Sequence, residues 1–179
     1  VKQISPGTRK KARNIRLLLL DVDGVLTDGA IVVDDRGVES KRFHVHDGQG
    51  ITLLIRAGIQ VGLITGHFSR AVNHRAKQLG IRMVYQRAQN KIEVYEKIKL
   101  RTGLKDREIA YVGDDIVDLP ILRRVGLSIT VKSCWKELKQ LVDYVTSGEA
   151  GQGAVREIAE LVLRAQGKWR SLTQKYYGH

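Results

Sequence analysis

Much is scarce in this sequence, and each scarcity excludes a class of protein. Cys134 is the single cysteine, so neither an intrachain disulfide nor a multi-cysteine metal site can form, and a reducing, cytoplasmic compartment is expected. Long apolar runs are missing: Leu17–Leu20 is far too short to span a bilayer, and residues 1–16 have no secretory-signal pattern. Acidic residues are absent from both ends. Residues 1–16 hold Lys2, Arg9, Lys10, Lys11, Arg13 and Arg16, and residues 164–179 hold Arg164, Lys168, Arg170 and Lys175. The middle therefore carries 21 bases against 19 acids, so the formal net charge of +12 sits mostly at the ends. A nucleic-acid reader would spread bases along one face among aromatics, which make up only 6% of this chain. The basic ends read as solvated arms or subunit contacts, with neither nucleic acid nor membrane expected as a partner.

What is present is a globular composition, 42% apolar and 28% charged over 179 residues, enough for one domain with its own core. Strand-length apolar runs alternate with helix-length amphipathic stretches, the pattern of a parallel α/β sheet. Strands are expected at 15–20, 60–64, 82–85, 108–112 and 127–131. Helices are expected at 48–57, 69–79, 91–101, 116–125, 135–141 and 154–165, with Gly58, Gly80 and Gly103 as stops and Ser69 as a cap. One segment breaks the alternation: Ala30–Val33, a turn at Asp34-Asp35-Arg36-Gly37, and Val38–Val45 read as a projecting β-hairpin.

Parallel strands deliver their carboxyl ends to one edge, where ligands bind. The first strand ends in Asp21-Val22-Asp23-Gly24, the second in Thr65-Gly66 and the fourth in Gly113-Asp114-Asp115, while Lys91 opens the helix after the third. Asp21 and Asp114 are candidate carboxylates for Mg²⁺, a hard cation that needs few protein ligands. A carboxylate such as Asp21 can attack phosphorus when cations screen the repulsion, and Mg²⁺ with Lys91 would supply that screening. Asp23, two residues along, can serve as acid for the leaving oxygen and then as base for water. Thr65 and the amides near Gly24 and Gly66 would hold phosphoryl oxygens. Asp115 can bind metal or orient a ligand, and Asp118 supports its helix start. His44, His46 and His74 do not have the spacing of a preformed metal site.

Together, Asp21-Val22-Asp23-Gly24-Val25-Leu26-Thr27, Thr65, Lys91 and Gly113-Asp114-Asp115-Ile116-Val117-Asp118 resemble the four motifs of the haloacid dehalogenase superfamily of phosphatases. The resemblance implies a doubly wound α/β fold in which Asp21 is phosphorylated and Asp23 is the acid/base. It also implies that Mg²⁺ is bound by Asp21, the Asp23 carbonyl and Asp114. Phe43-His44-Val45-His46-Asp47-Gly48-Gln49-Gly50-Ile51, Ile64-Thr65-Gly66 and Gly151-Gln152-Gly153-Ala154-Val155-Arg156-Glu157 narrow it to a capless branch similar to the phosphatases for 3-deoxy-D-manno-octulosonate 8-phosphate, an intermediate of lipopolysaccharide sugar biosynthesis.

That branch implies homotetramers in which a neighbour's hairpin and C-terminal tail approach the active site, and it implies substrate contacts at Gly66, His67, Arg75 and His46. His67 stands where eight-carbon-sugar enzymes usually have Arg and nine-carbon relatives tend to have Glu. His46 stands where Arg is frequent, and Ser147-Gly148-Glu149-Ala150 lacks the usual basic opening of the tail loop. A sialic-acid-like 9-phosphate is thus an alternative substrate, and a non-catalytic or nucleic-acid-binding member using its basic ends is an alternative of another class. The expected organisation is a basic N-terminal arm over 1–14, a phosphatase domain over 15–166 and a C-terminal tail over 167–179.

Overall fold

A computed structural model describes residues 4–177. Six parallel strands, β1 (Leu17–Leu20), β4 (Gln60–Ile64), β5 (Met83–Tyr85), β6 (Ile109–Gly113), β7 (Leu127–Thr130) and β8 (Tyr144–Val145), form a sheet in the order β5-β4-β1-β6-β7-β8. β1 is central and its four leucines are fully buried, as a strand covered on both faces requires. Each leucine contributes about 1.5–3 kcal/mol by leaving water. Registers Leu20↔Leu63 and Leu20↔Val112 bring the carboxyl ends of β4, β1 and β6 to one level.

The helices are α1 (Pro6–Arg13), α2 (Val45–Arg56), α3 (Arg70–Leu79), α4 (Lys91–Thr102), α5 (Leu119–Leu122), α6 (Ala154–Ala165) and α7 (Trp169–Thr173). The chain runs outward from β1 through β4 to β5, then returns to β6 on the other side of β1. With right-handed crossovers this reversal puts α4 and α5 on the face opposite α2 and α3. α2 packs on α6, and Gly50 permits the close crossing: a Cβ there would lie 3.1 Å from Ala159 Cβ and from Arg156 Cα. Gly62 serves the sheet similarly, since a Cβ would sit 2.8 Å from Leu19 Cδ2.

The expected strands all form, shifted by at most two residues, and α6 has the expected bounds. The hairpin pairs only β2 (Val32–Val33) with β3 (Glu39–Ser40), because Asp34 Oδ1 accepts from the Arg36 and Val38 amides and the chain enters α2 already at Val45. The helix expected over 116–125 is a 3-10 turn, Ile116–Asp118, followed by the short α5: Asp118 Oδ2 takes up the Asp114 and Asp115 amides. The helix expected over 135–141 is a 3-10 turn, Lys136–Gln140.

The basic ends are folded against the domain where they are described. In α1, Pro6 occupies the first turn, Ser5 Oγ accepts from the Thr8 amide, and Thr8 and Ala12 form a small buried stripe one helical turn apart. α1 packs on α6, Thr8 Oγ1 donates to the Asp143 carbonyl, and Lys11 pairs with Asp143. At the other end Trp169 lies under Arg156 and Arg164, 5.1 and 4.7 Å from its ring centroid. Residues 1–3 of the expected arm and 178–179 of the expected tail lie outside the described residues.

Asp47, buried, joins α2 to α6: Oδ2 accepts from the Gly153 amide at 3.2 Å and Oδ1 from the Arg156 amide at 2.7 Å. Asp47→Ala leaves buried amides unpaired at the start of α6 and is expected to lower unfolding free energy by about 1–3 kcal/mol in denaturant titration, with the denaturant slope unchanged.

Candidate active site

The crevice opens where β1 has β4 on one side and β6 on the other, and three strand ends bring their polar residues into it. Lys91 at the start of α4 buries its ammonium between two carboxylates, 2.6 Å from Asp21 Oδ2 and 2.7 Å from Asp118 Oδ1. Asp21 Oδ1 accepts from the Val22 amide at 2.6 Å. Asp118 is fully buried: Oδ1 also accepts from the Tyr111 hydroxyl at 2.5 Å, and Oδ2 from the amides of Asp114 and Asp115 at 3.0 and 3.2 Å. Asp114 is fixed further by its carbonyl, which accepts from the Trp135 amide at 2.8 Å.

Oxygens of Asp21, Asp114 and Asp118 lie within 4.8 Å of one another. Three carboxylates around one ammonium leave negative charge uncompensated. Burial first, then Asp118, raises the Asp21 carboxyl to about 6 against the pull of Lys91. Burial, then Asp21 and Asp118, raises Asp114 to about 7. Burial opposes the Lys91 charge, yet Asp21 and Asp118 outweigh it and hold its pKa above the usual lysine value. Hard oxygen donors with a charge deficit suit a divalent cation such as Mg²⁺. Gly24 keeps the space open: its φ is +79°, and a Cβ there would lie 2.1 Å from Asp114 Oδ2.

On the other side of Asp21, Asp23 Oδ1 takes the ammonium of Lys41 at 2.5 Å, while Oδ2 faces the Thr65 hydroxyl at 3.5 Å. Thr65 is buried at the end of β4, where its amide donates to the Tyr85 carbonyl and its Oγ1 accepts from the His67 amide. Gly66 follows, its carbonyl accepting from Gln89 Nε2 at 3.4 Å, and His67 is exposed at the rim.

Asp21, Asp23, Thr65, Lys91 and Asp114 therefore come together at one edge of the sheet, and Asp118 joins them from the turn after β6. Asp115 is exposed and its carboxylate accepts from the Ile116 amide, which makes it a cap for the 3-10 turn. Arg75 has its guanidinium 5.9 Å from the Phe43 ring centroid and beside Gly48, and exposed His46 makes an edge contact with His44. Asp118, expected only to support its helix start, instead lies fully buried and accepts hydrogen bonds from both Lys91 and Tyr111. Lys41, a lone lysine just past a hairpin strand, belongs to no motif of the sequence yet meets Asp23.

Carboxyls with raised folded-state pKa values take up protons that the unfolded chain has released, so their contribution to stability falls as pH rises from about 4 to about 7. Metal-free protein is thus expected to lose relative stability across that window. Thermal melting with and without Mg²⁺ is expected to show a larger stabilisation by the ion at pH 7.5 than at pH 5.5. In Gly24→Ala the Mg²⁺-dependent rise in Tm is expected to vanish, because the methyl displaces Asp114 and strains a left-handed backbone position.

A haloacid dehalogenase-like hydrolase family model matches residues 43–126. The 3-deoxy-D-manno-octulosonate 8-phosphate phosphatase KdsC of Salmonella typhimurium is 44% identical over 165 residues, covering 92% of this chain and 88% of that protein. The crystal structure of the 3-deoxy-D-manno-octulosonate 8-phosphate phosphatase from Yersinia pestis superposes with a TM-score of 0.91 at 40% identity, covering 92% of this chain and 89% of that one. That of the Moraxella catarrhalis phosphatase, in complex with magnesium ion, phosphate ion and KDO, superposes with a TM-score of 0.92 at 37% identity, covering 94% and 97%. With a strand-end aspartate cluster, a buried lysine and this extent of likeness, the chain belongs to the haloacid dehalogenase superfamily, in the family of the 3-deoxy-D-manno-octulosonate 8-phosphate phosphatases.

Proposed function

We propose that this protein hydrolyses 3-deoxy-D-manno-octulosonate 8-phosphate, in the cytoplasm, to the free sugar acid and phosphate by way of a phosphorylated Asp21. The observation that carries the chemistry is the buried Asp21 carboxylate, held by Lys91 and the Val22 amide beside two further aspartates. The choice of sugar rests on the 44% identity to KdsC over 92% of the chain.

Asp21, Asp114 and the Asp23 carbonyl would hold Mg²⁺, which when bound neutralises phosphoryl charge and so lets a carboxylate approach phosphorus. Lys91, fixed by Asp118, keeps one Asp21 oxygen in place and adds positive charge beside it. The other Asp21 oxygen attacks phosphorus. As the P–O bond to the sugar breaks, its electron pair goes to the sugar oxygen, which takes a proton from Asp23. A water then attacks the phosphoryl group and passes its proton to Asp23, and the bond to Asp21 breaks with its electrons returning to the carboxylate. Thr65 Oγ1 and the amides at Gly24 and Gly66 would donate to phosphoryl oxygens. His67 at the rim, together with Arg75 and His46, is assigned to the sugar and its carboxylate.

The chain is also proposed to act as a homotetramer, with the hairpin and the C-terminal tail near a neighbouring site. Ile31, Val32, Val33 and Val38 are all more than half exposed on the hairpin, an apolar surface that a lone chain would leave in water.

Asp21→Asn is expected to retain the fold by circular dichroism and to release no phosphate above background; near-normal turnover would refute the covalent route. In a panel of the eight-carbon 8-phosphate, a sialic-acid-like 9-phosphate and an aryl phosphate, the first is expected to lead in kcat/KM by about a hundredfold, some 2.7 kcal/mol in the transition state. A lead for the nine-carbon ester would move the assignment to that sugar. Light scattering is expected to give four times the chain mass, and an active monomer would remove the neighbour's part.

A further inference from the structure

Lys41 stands on the chain leaving the hairpin, yet its side chain is only 5% exposed. Its ammonium lies 2.5 Å from Asp23 Oδ1 and 2.5 Å from Glu39 Oε1. A lysine seldom gives up its hydration without paired charges to receive it, and here the two carboxylates are from the hairpin and from the catalytic loop. A hydrogen bond to Asp23 and an ion pair with Glu39 keep it a fixed cation. Glu39 supplies a second anion, which keeps the ammonium from being committed to Asp23 alone. The hairpin therefore reaches the active site through one side chain.

We infer that Lys41 is a positioning residue that anchors Asp23 through Oδ1 and thereby selects Oδ2 as the oxygen that gives and takes the proton. The reasoning is a matter of donors and acceptors. An ammonium has three N–H donors and no acceptor, so the oxygen it occupies is the poorer place for a proton. Oδ2 faces Thr65 Oγ1 at 3.5 Å, on the side where a phosphoryl group would sit between Thr65 and Asp21. Glu39 in turn holds Lys41, so the hairpin's position at β3 sets the direction of the Asp23 carboxylate. This inference rests on the reading of Asp23 as the acid and base of the reaction.

Asp23 is asked for two things: a proton for the sugar alkoxide in the first half-reaction and a proton acceptor for water in the second. An aryl phosphate such as p-nitrophenyl phosphate needs only the second, because its phenolate leaves without a proton. In Lys41→Met, single-turnover release of the sugar from 3-deoxy-D-manno-octulosonate 8-phosphate is expected to fall by about a hundredfold, in the range of general-acid contributions, with KM little changed. Release of p-nitrophenolate is expected to stay near the wild-type rate in the first turnover. Slow dephosphorylation should then follow, visible as a burst of one equivalent per site. Lys41→Arg, which keeps donors and charge, is expected to recover most of the sugar-release rate. Glu39→Gln is expected to give the same asymmetry more weakly, and it serves if Lys41→Met does not fold.

An equal loss on both esters in the first turnover, or a raised KM with kcat intact, would overturn the positioning role in favour of a structural or substrate-binding one. Wild-type rates in both Lys41→Met and Glu39→Gln would overturn it as well. Asp23→Asn separates this from the underlying reading. If that variant shows no leaving-group asymmetry, Asp23 is not the acid, and the inference falls with that assignment; if it does and the Lys41 variants do not, Lys41 alone is at fault.

Discussion

The buried ammonium of Lys91 is the constraint around which the site is arranged. It touches Asp21 at the end of β1 and Asp118 in the turn after β6, so one charge ties the central strand to its neighbour and to the start of α4. An unpaired ammonium there would be costly, and so would either carboxylate without it. The arrangement holds only if all three elements keep their register. Asp118 is the hub: Lys91 and Tyr111 use one oxygen and the amides of Asp114 and Asp115 use the other, leaving no oxygen of it without a partner.

The same cluster is short of positive charge. Asp21, Asp114 and Asp118 outnumber Lys91, and burial first, then the neighbouring carboxylates, raises the Asp21 and Asp114 pKa values, a preference for binding protons. A divalent cation satisfies the deficit where protons would otherwise do so. Structure and chemistry thus share one cause, since the negative charge that a lone domain bears poorly is the charge that draws in a cation, and the cation in turn screens the approach of a phosphoryl group. Gly24 and Gly113 belong to this cause as well: a Cβ at Gly113 would lie 2.4 Å from Asp118 Cβ, so the acidic residues can crowd together only where side chains are missing.

The hairpin links this centre to the surface. Its arms expose the apolar residues Ile31, Val32, Val33 and Val38, while just past β3 it buries Lys41 against Asp23. A phosphatase without an inserted cap must direct its acid/base and cover its substrate by other means. A hairpin that pairs little with itself, two residues to a strand, has the freedom to be set by whatever it packs against.

The strands were legible because β1, β4, β6 and β7 are apolar runs, and a strand buried on both faces must be. Asp21, Asp23, Thr65, Lys91 and Asp114 were legible for a related reason: parallel strands oblige polar residues at their carboxyl ends to share an edge. The short elements were not. β8 has two residues, α1 offers a stripe of only Thr8 and Ala12, and the segment over 116–125 reads as a regular helix although Asp118 turns back on its own amides. The part played by Asp118 and by Lys41 depends on contacts between residues 27 and 18 positions apart in the chain, Asp118 with Lys91 and Lys41 with Asp23, and no local pattern records such contacts. The α/β class and the order of the reactive groups can be read along the chain, since periodicity and strand ends are local properties. Tertiary structure alone decided which carboxylates crowd together, which lysine each one meets and how a basic end docks, since charge burial and pairing exist only once distant segments share space.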